Sequence, residues 1–245
     1  MSDIYQVGHL ERVPLGTPYP GIVAHVGRLL GKLPDPELVI DYTGVGRPVF
    51  DLFTYAGISP VGVLITGGAV ETRDGVICSV PKLTLVSRLQ ALLHEGRLKI
   101  QKELSEAETL VRELQDFRVE FTAAGHLTFN ARAGKHDDLV LALAIAIWRA
   151  YGGGMACWGV FEATRQAALG ALAGEPRYFV GVDLGQSRDP TAIAVVRRVG
   201  LTDPAVAAEP GRKEPVYAPG SLEWQRQQAE REGRLPAIGV SPRAA

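Results

Sequence analysis

The stretch that decides the fold is YFVGVDLGQSRDPTAIAVVRR, at residues 178–198. Its first part, Tyr178 to Asp183, is rich in β-branched and aromatic residues and ends in an acid. Gly185 to Pro190 supplies turn residues, and Thr191 to Arg198 is a second β-type run. Two such runs around a short turn predict a β-hairpin, and their apolar character predicts that the hairpin is buried in a sheet.

Strand and helix patterns alternate along the chain before this hairpin. The predicted strands are 4–13, 38–41, 61–66, 117–122 and 126–130. The predicted helices begin at Tyr19, shortly after Gly46, at Pro81, at Ser105 and at His136. Ser105 and Glu108 hold capping-box positions at the fourth helix, and the fifth helix is apolar nearly all round, which predicts burial. Helices alternating with strands, plus two hairpins, predict an α/β domain with a mixed sheet flanked by helices.

Composition divides the chain into a body and a tail. The predicted domain covers 1–200, with a main body at 4–150, a connector at 151–176 and the hairpin at 177–198. Residues 201–245 are rich in proline and glycine and show little apolar periodicity, so a flexible tail is expected there.

Composition also excludes several classes of protein. A 46% hydrophobic content excludes a wholly disordered chain, and a net charge of -1 gives no global basic field for nucleic acid or membrane. The 2 cysteines, Cys78 and Cys157, form no CxxC pair, which argues against a disulfide scaffold. The most apolar run, Leu139 to Trp148, is about half of the ~20 residues that a membrane-spanning helix needs. We therefore expect an intracellular protein of the cytoplasm.

Acidic residues stand at the ends of the apolar elements. Asp183 ends the strand YFVGVD and Asp41 ends the run LVID, while Asp137 and Asp138 open the last helix. Ligands bind at the carboxyl ends of strands in α/β sheets, and buried carboxylates need caps, cations or metal ions. If these acids converge, their oxygens suit two Mg²⁺ or Mn²⁺ ions that cleave a phosphodiester.

Simpler interpretations of the same residues stay open. A single Asp at a strand end is more often a turn or cap residue, and Asp137 and Asp138 stabilise a helix N-terminus whatever the function. The basic stretch from Lys82 to Lys102 is more often a solvated helix face than a binding groove. His136 adjoins the acid pair, where it is placed to handle a proton.

Five segments together resemble the nuclease domain of phage terminase large subunits, a member of the RNase H-like superfamily. They are VGVDLGQSRDPTAIAVV (180–196), HLERVPLGTPYP (9–20), LVIDYTGVGRPVFDLF (38–53), VPKLTLVSRLQALL (80–93) and KHDDLVLALAIAIW (135–148). The resemblance covers about residues 4–150 and 177–198. It implies an RNase H-like mixed sheet whose metal ligands are Asp183, Asp41 and Asp138, with Asp137 as the alternate to Asp138.

The resemblance also implies a substrate and partners. The substrate is double-stranded DNA, with Lys82 and nearby basic residues at its phosphates and with Gly44 and Gly46 allowing close approach of its backbone. The sequence contains no GxxxxGK[ST], the phosphate-binding motif of the terminase motor. Portal, small terminase subunit or a separate ATPase chain are the partners expected, and no membrane.

The order of the segments departs from the family. There the Asp-bearing hairpin comes first, whereas here it follows the HDDLV helix. Circular permutation and the joining of two gene fragments are the two explanations. The segment 151–176 is long enough for the hairpin to dock within one molecule, and a swapped dimer is the other route. A second departure is Leu141, which stands where some members have a further acid.

Three functional hypotheses follow. The first is a metal-dependent DNA endonuclease domain. The second is a catalytically inactive terminase remnant that binds DNA or protein. The third is an ATP-binding fold related to sugar kinases and actin, since VDLGQ and DYTGVG are similar to phosphate-loop strands, but that fold usually needs two full domains.

Overall fold

A computed structural model describes residues 3–121, 127–131, 137–153, 177–185 and 189–200, with the backbone alone at 116–121 and 127–131. Every described residue belongs to one compact unit, which lies within Met1–Ala208. The predicted tail and most of the predicted connector lie outside the described residues, as does His136.

Ten strands and five helices lie within the described ranges. The strands are β1 Ile4–Arg12, β2 Glu37–Asp41, β3 Val61–Thr66, β4 Thr72–Asp74, β5 Ile77–Pro81, β6 Leu98–Ile100, β7 Phe117–Phe121, β8 Leu127–Ala131, β9 Arg177–Asp183 and β10 Ala192–Val199. The helices are α1 Tyr19–Leu30, α2 Gly46–Tyr55, α3 Lys82–His94, α4 Ala107–Asp116 and α5 Asp138–Ala150.

The late hairpin forms the middle of an 8-stranded mixed sheet, whose order is β4-β5-β3-β2-β9-β10-β1-β6. Strand β10 pairs antiparallel with β9 and with β1, while β9 pairs parallel with β2, which itself pairs parallel with β3. Strands β7 and β8 form a separate 2-stranded ribbon. The predicted α/β class and mixed sheet are confirmed, and the arrangement is consistent with an RNase H-like fold.

The hairpin is central because both of its faces are apolar. Phe179 and Ala194 enter one core together with α5, while Val180 and Ile193 enter a second core that contains residues of α1 and α2. Alternate residues of a strand point to opposite faces of a sheet, so an uninterrupted apolar run buries both faces. The sheet is therefore covered by helices on both sides.

Helix α5 lies directly on β9, at a position where only glycine fits. A Cβ atom at Gly181 would come within 2.0 Å of the Ala142 carbonyl oxygen and 2.9 Å of the Ala146 Cβ atom. Nearly all of α5 is buried, as its all-round apolar sequence predicts. This close contact fixes the N-terminus of α5, with its aspartates, relative to the end of β9.

Some elements differ from the prediction. The sequence did not reveal β4, β5 and β6, and α1 ends at Leu30 although the apolar spacing extends to Leu33. The capping box is wrong: α4 begins at Ala107, and the Ser105 hydroxyl donates instead to the Leu10 carbonyl at 3.5 Å. Within the described ranges, no helix combines the length and apolar character that crossing a bilayer requires.

Candidate active site

Asp41 and Asp183 lie side by side at the carboxyl ends of two adjacent strands, β2 and β9. Their strands are parallel neighbours, and the ladder pairs Ile40 with Val182, the residues immediately before the two acids. The two carboxyl groups lie within hydrogen-bonding distance of each other, and each residue is largely buried, at 9% and 8% exposure. The predicted convergence of these two residues is thus present in the fold.

Asp138 and Asp137 reach the same place from α5. Asp138 is 7% exposed, and the negative charges of both residues act on the Asp183 carboxyl. The topology therefore places the two α5 aspartates within electrostatic range of Asp183, and it pairs Asp183 with Asp41 although 142 sequence positions separate those two residues.

Burial and mutual repulsion control the protonation of these acids. Loss of solvation raises the pKa of Asp183 well above its usual value, and the charges of Asp41, Asp138 and Asp137 raise it further. Burial also raises the pKa of Asp41, although hydrogen bonds from Thr43 and the positive charge of Lys82 oppose that change. Of the two carboxyls, Asp183 is thus the one that favours holding the proton.

The loop after β2 holds Asp41 in place. The Thr43 N–H donates to Asp41 Oδ1 at 2.8 Å, and Thr43 Oγ1 accepts a hydrogen bond from the Ile65 N–H at 3.2 Å. Gly44 adopts a left-handed backbone with φ of 63°, and a Cβ atom at Gly46 would lie 2.3 Å from the Asp41 carbonyl oxygen. The local backbone structure therefore favours glycine at both positions, whether or not a ligand binds there.

Lys82 supplies a positive charge at the edge of the acids. Its Nζ lies 3.2 Å from Asp137 Oδ2, and the two side chains are 21% and 22% exposed. The predicted phosphate-binding lysine is therefore at the site, in an ion pair with one of the predicted acids.

Glu113 and Arg12 are site residues that the sequence prediction missed. Glu113 is 6% exposed, and its Oε2 accepts hydrogen bonds from the N–H groups of Leu139 at 3.0 Å and Val140 at 3.1 Å. Arg12 donates to Glu113 Oε1 and lies 4.0 Å from Asp138 Oδ2. One feature of the sequence pointed to Glu113: it lies three residues after Leu110, so it falls on the buried side of α4, where an acid is unusual.

A cleft of about 270 Å³ opens beside the hairpin turn that follows Asp183. Residues 14–17 form one part of its wall, and Gly185 and 189–191 form another. The Tyr19 hydroxyl crosses between them and donates to the Gly185 carbonyl at 3.3 Å.

The donor set fits a hard divalent cation in chemistry. In the part of the chain that the structure describes, no group of three or more His, Cys, Asp or Glu side chains is arranged as it stands to hold a metal ion. Asp41 and Asp183 bond to each other instead, and Asp137 bonds to Lys82. Clustered carboxylate oxygens nevertheless suit Mg²⁺ or Mn²⁺, because a cation offsets the repulsion that burial makes costly.

Two curated relatives match the chain. The large terminase subunit of Thermus phage G20c is 26% identical over 144 residues, which are 59% of this chain and 26% of that protein. The large terminase subunit of Thermus virus P23-45 is 26% identical over 137 residues, which are 56% of this chain and 25% of that protein. The match thus spans about a quarter of each relative. No protein-family model and no solved structure matches.

Proposed function

We propose that this chain is a metal-dependent endonuclease domain that acts on DNA during phage genome packaging. The observation that carries the proposal is the pairing of Asp41 with Asp183 at the carboxyl ends of adjacent parallel strands, with the α5 aspartates beside them. Similarity to two phage large terminase subunits supports the substrate and the setting.

In this proposal Asp183, Asp41 and Asp138 hold two Mg²⁺ or Mn²⁺ ions, with Asp137 as the alternate to Asp138. The ions, when bound, activate water as a nucleophile and offset charge on the leaving oxygen. The chain's own part is to hold carboxylates on rigid elements, since β2, β9 and α5 are all packed in the core.

Lys82 contributes positive charge for the DNA phosphates beside the acids. Because the whole chain carries a net charge of only -1, binding depends on such local contacts and weakens with salt. The loop that contains Gly44 and Gly46 is the proposed approach for the DNA backbone. A portal, a small terminase subunit and a separately supplied ATPase are the proposed partners.

We further propose that the order of the segments is a circular permutation of the terminase nuclease order. Its support is the central position of the late hairpin, between β2 and β1 in the sheet. In this arrangement a segment that comes late in the chain takes the place of a first strand.

Cleavage of linear and supercoiled double-stranded DNA in Mn²⁺ or Mg²⁺ tests the activity. Asp183→Asn and Asp41→Asn are expected to lower the rate at least ~100-fold, and Asp51→Asn on the exposed side of α2 is the matched control. Equal cleavage by wild type and Asp183→Asn would contradict the proposal.

A second candidate is an inactive terminase remnant that binds DNA or protein. It is favoured by the partners that the acids already have without metal: Asp41 and Asp183 lie within hydrogen-bonding distance of each other, Asp137 pairs with Lys82, and Asp138 lies 4.0 Å from Arg12. Calorimetric titration with Mn²⁺ separates the two candidates. A nuclease domain is expected to give binding heat that is lost in Asp183→Asn, whereas an inactive remnant is expected to give the same result with and without the substitution.

A further inference from the structure

The N-terminus of α5 is capped by a carboxylate from another helix. Asp137 occupies the N-cap position of α5, yet its side chain makes no capping hydrogen bond. The N–H groups of Leu139 and Val140, which an N-cap aspartate ordinarily binds, donate to Glu113 Oε2 at 3.0 Å and 3.1 Å.

This substitution leaves Asp137 and Asp138 available to the site. The Asp137 carboxylate bonds to Lys82, and the charges of both aspartates act on Asp183. If Asp137 capped its own helix, as aspartate at that position commonly does, its carboxylate would turn back toward α5 and away from Lys82.

Arg12 makes the arrangement possible. A buried carboxylate such as Glu113 is costly without a partner, and Arg12 at the end of β1 pairs with it. The same guanidinium lies 4.0 Å from Asp138 Oδ2. Three elements, β1, α4 and α5, are therefore tied together at the acids.

We infer that Glu113 and Arg12 are positioning residues of the proposed nuclease site: Glu113 caps α5 in place of Asp137, and Arg12 fixes both Glu113 and Asp138. The inference rests on the proposed function. Neither residue is assigned to the metal ions or to the DNA. Partners that orient metal ligands commonly change metal affinity about 10- to 100-fold when they are removed.

Calorimetric titration of the full chain with Mn²⁺, without DNA, tests the inference. Glu113→Ala is expected to raise the Mn²⁺ dissociation constant about 10- to 100-fold. Glu113→Gln keeps an oxygen that accepts from the α5 N–H groups but loses the charge that pairs with Arg12, so a smaller rise of about 10-fold is expected. Glu108→Ala, on the exposed side of the same helix, is the control and is expected to bind as wild type does.

Thermal unfolding of each variant separates positioning from plain stability. A purely structural cap would lower the melting temperature and leave the dissociation constant of the folded protein unchanged. Mn²⁺ binding by Glu113→Gln within about twofold of wild type overturns the inference, even if Glu113→Ala does not fold. In that case Asp183→Asn decides the fate of the proposed function. If Asp183→Asn also binds Mn²⁺ as wild type does, the proposed function is contradicted together with the inference. If Asp183→Asn abolishes Mn²⁺ binding, the proposed function is retained and only the inference is rejected.

Discussion

At the scale of one side chain, Asp183 makes an unfavourable contribution to the stability of the fold. Its carboxyl is 8% exposed and faces three other aspartates. An unfolded chain would leave the same carboxyl in water, with a pKa of about 3.9. Because folding raises this pKa, the folded state binds more protons, and its stability falls as the pH rises above that value.

Asp183→Asn is therefore expected to stabilise the metal-free protein at pH 7 by about 1 kcal/mol while lowering the rate of the proposed cleavage at least ~100-fold. Asparagine stays neutral at every pH, so the difference from wild type should close as the pH falls toward 4. Thermal unfolding at pH 4 and pH 7 in metal-free buffer measures both values, with Asp51→Asn as the control. A variant that is less stable than wild type at pH 7 would contradict this account of Asp183.

Lys82 has the opposite role among the same acids. It pairs with Asp137, and its charge opposes the rise that burial causes in the pKa of Asp41. Lys82→Met leaves these carboxylates without that cation, and a loss of about 1–2 kcal/mol in unfolding free energy is expected. Urea unfolding measures it; Lys82→Arg should restore most of the loss, and Lys99→Met, at an exposed position of β6, should be neutral.

At the scale of elements, the contact between α5 and β9 decides where the acids meet. Gly181→Ala places a methyl group 2.0 Å from the Ala142 carbonyl oxygen, so α5 must move away from the sheet. Overpacking of this kind costs about 1–3 kcal/mol, and the shift carries Asp138 away from Asp183. We expect a lower urea midpoint together with slower cleavage.

The matched control is Gly8→Ala in β1, where an added Cβ atom has no neighbour within 4 Å. Its stability should change by less than about 0.5 kcal/mol. If both substitutions lowered stability equally, the cause would be the loss of glycine itself. The close approach of α5 to β9 would then not explain the effect of Gly181→Ala.

The elements also show what the sequence could and could not reveal. Long apolar runs predicted β9, β10 and α5, because burial on every side leaves an unmistakable pattern. Strand β6 has only three residues and forms through parallel pairing with β1, which no local pattern encodes. Glu113 was missed for the same reason, since its partners belong to β1 and to the N-terminus of α5.

At the scale of the whole molecule, the sheet joins segments from opposite ends of the described chain. The ladder between β1 and β10 pairs Ile4 with Val199, so the end of β10 lies beside the start of β1. A short turn can therefore join them, and the connection would be an ordinary antiparallel hairpin.

A reordered chain in which 177–199 precedes Asp3 through such a turn is thus expected to fold and to show the same proposed Mn²⁺-dependent cleavage as the present chain. It should also refold faster, because its central pairings become local in sequence. Stopped-flow refolding and DNA cleavage provide the two measurements. A reordered chain that folds but does not cleave would show that the present order matters to the site itself.

Synthesis on the ribosome proceeds in the order of the chain, and the hairpin is translated late. At ordinary elongation rates the interval between translation of Asp41 and of Asp183 is on the order of 10 s. During this interval the edge of β1 that pairs with β10 has no partner strand, and the edge of β2 that pairs with β9 has none either. We therefore expect chaperones to bind the nascent protein during this interval. The four aspartates are all present only after Asp183, in the late hairpin, has been translated.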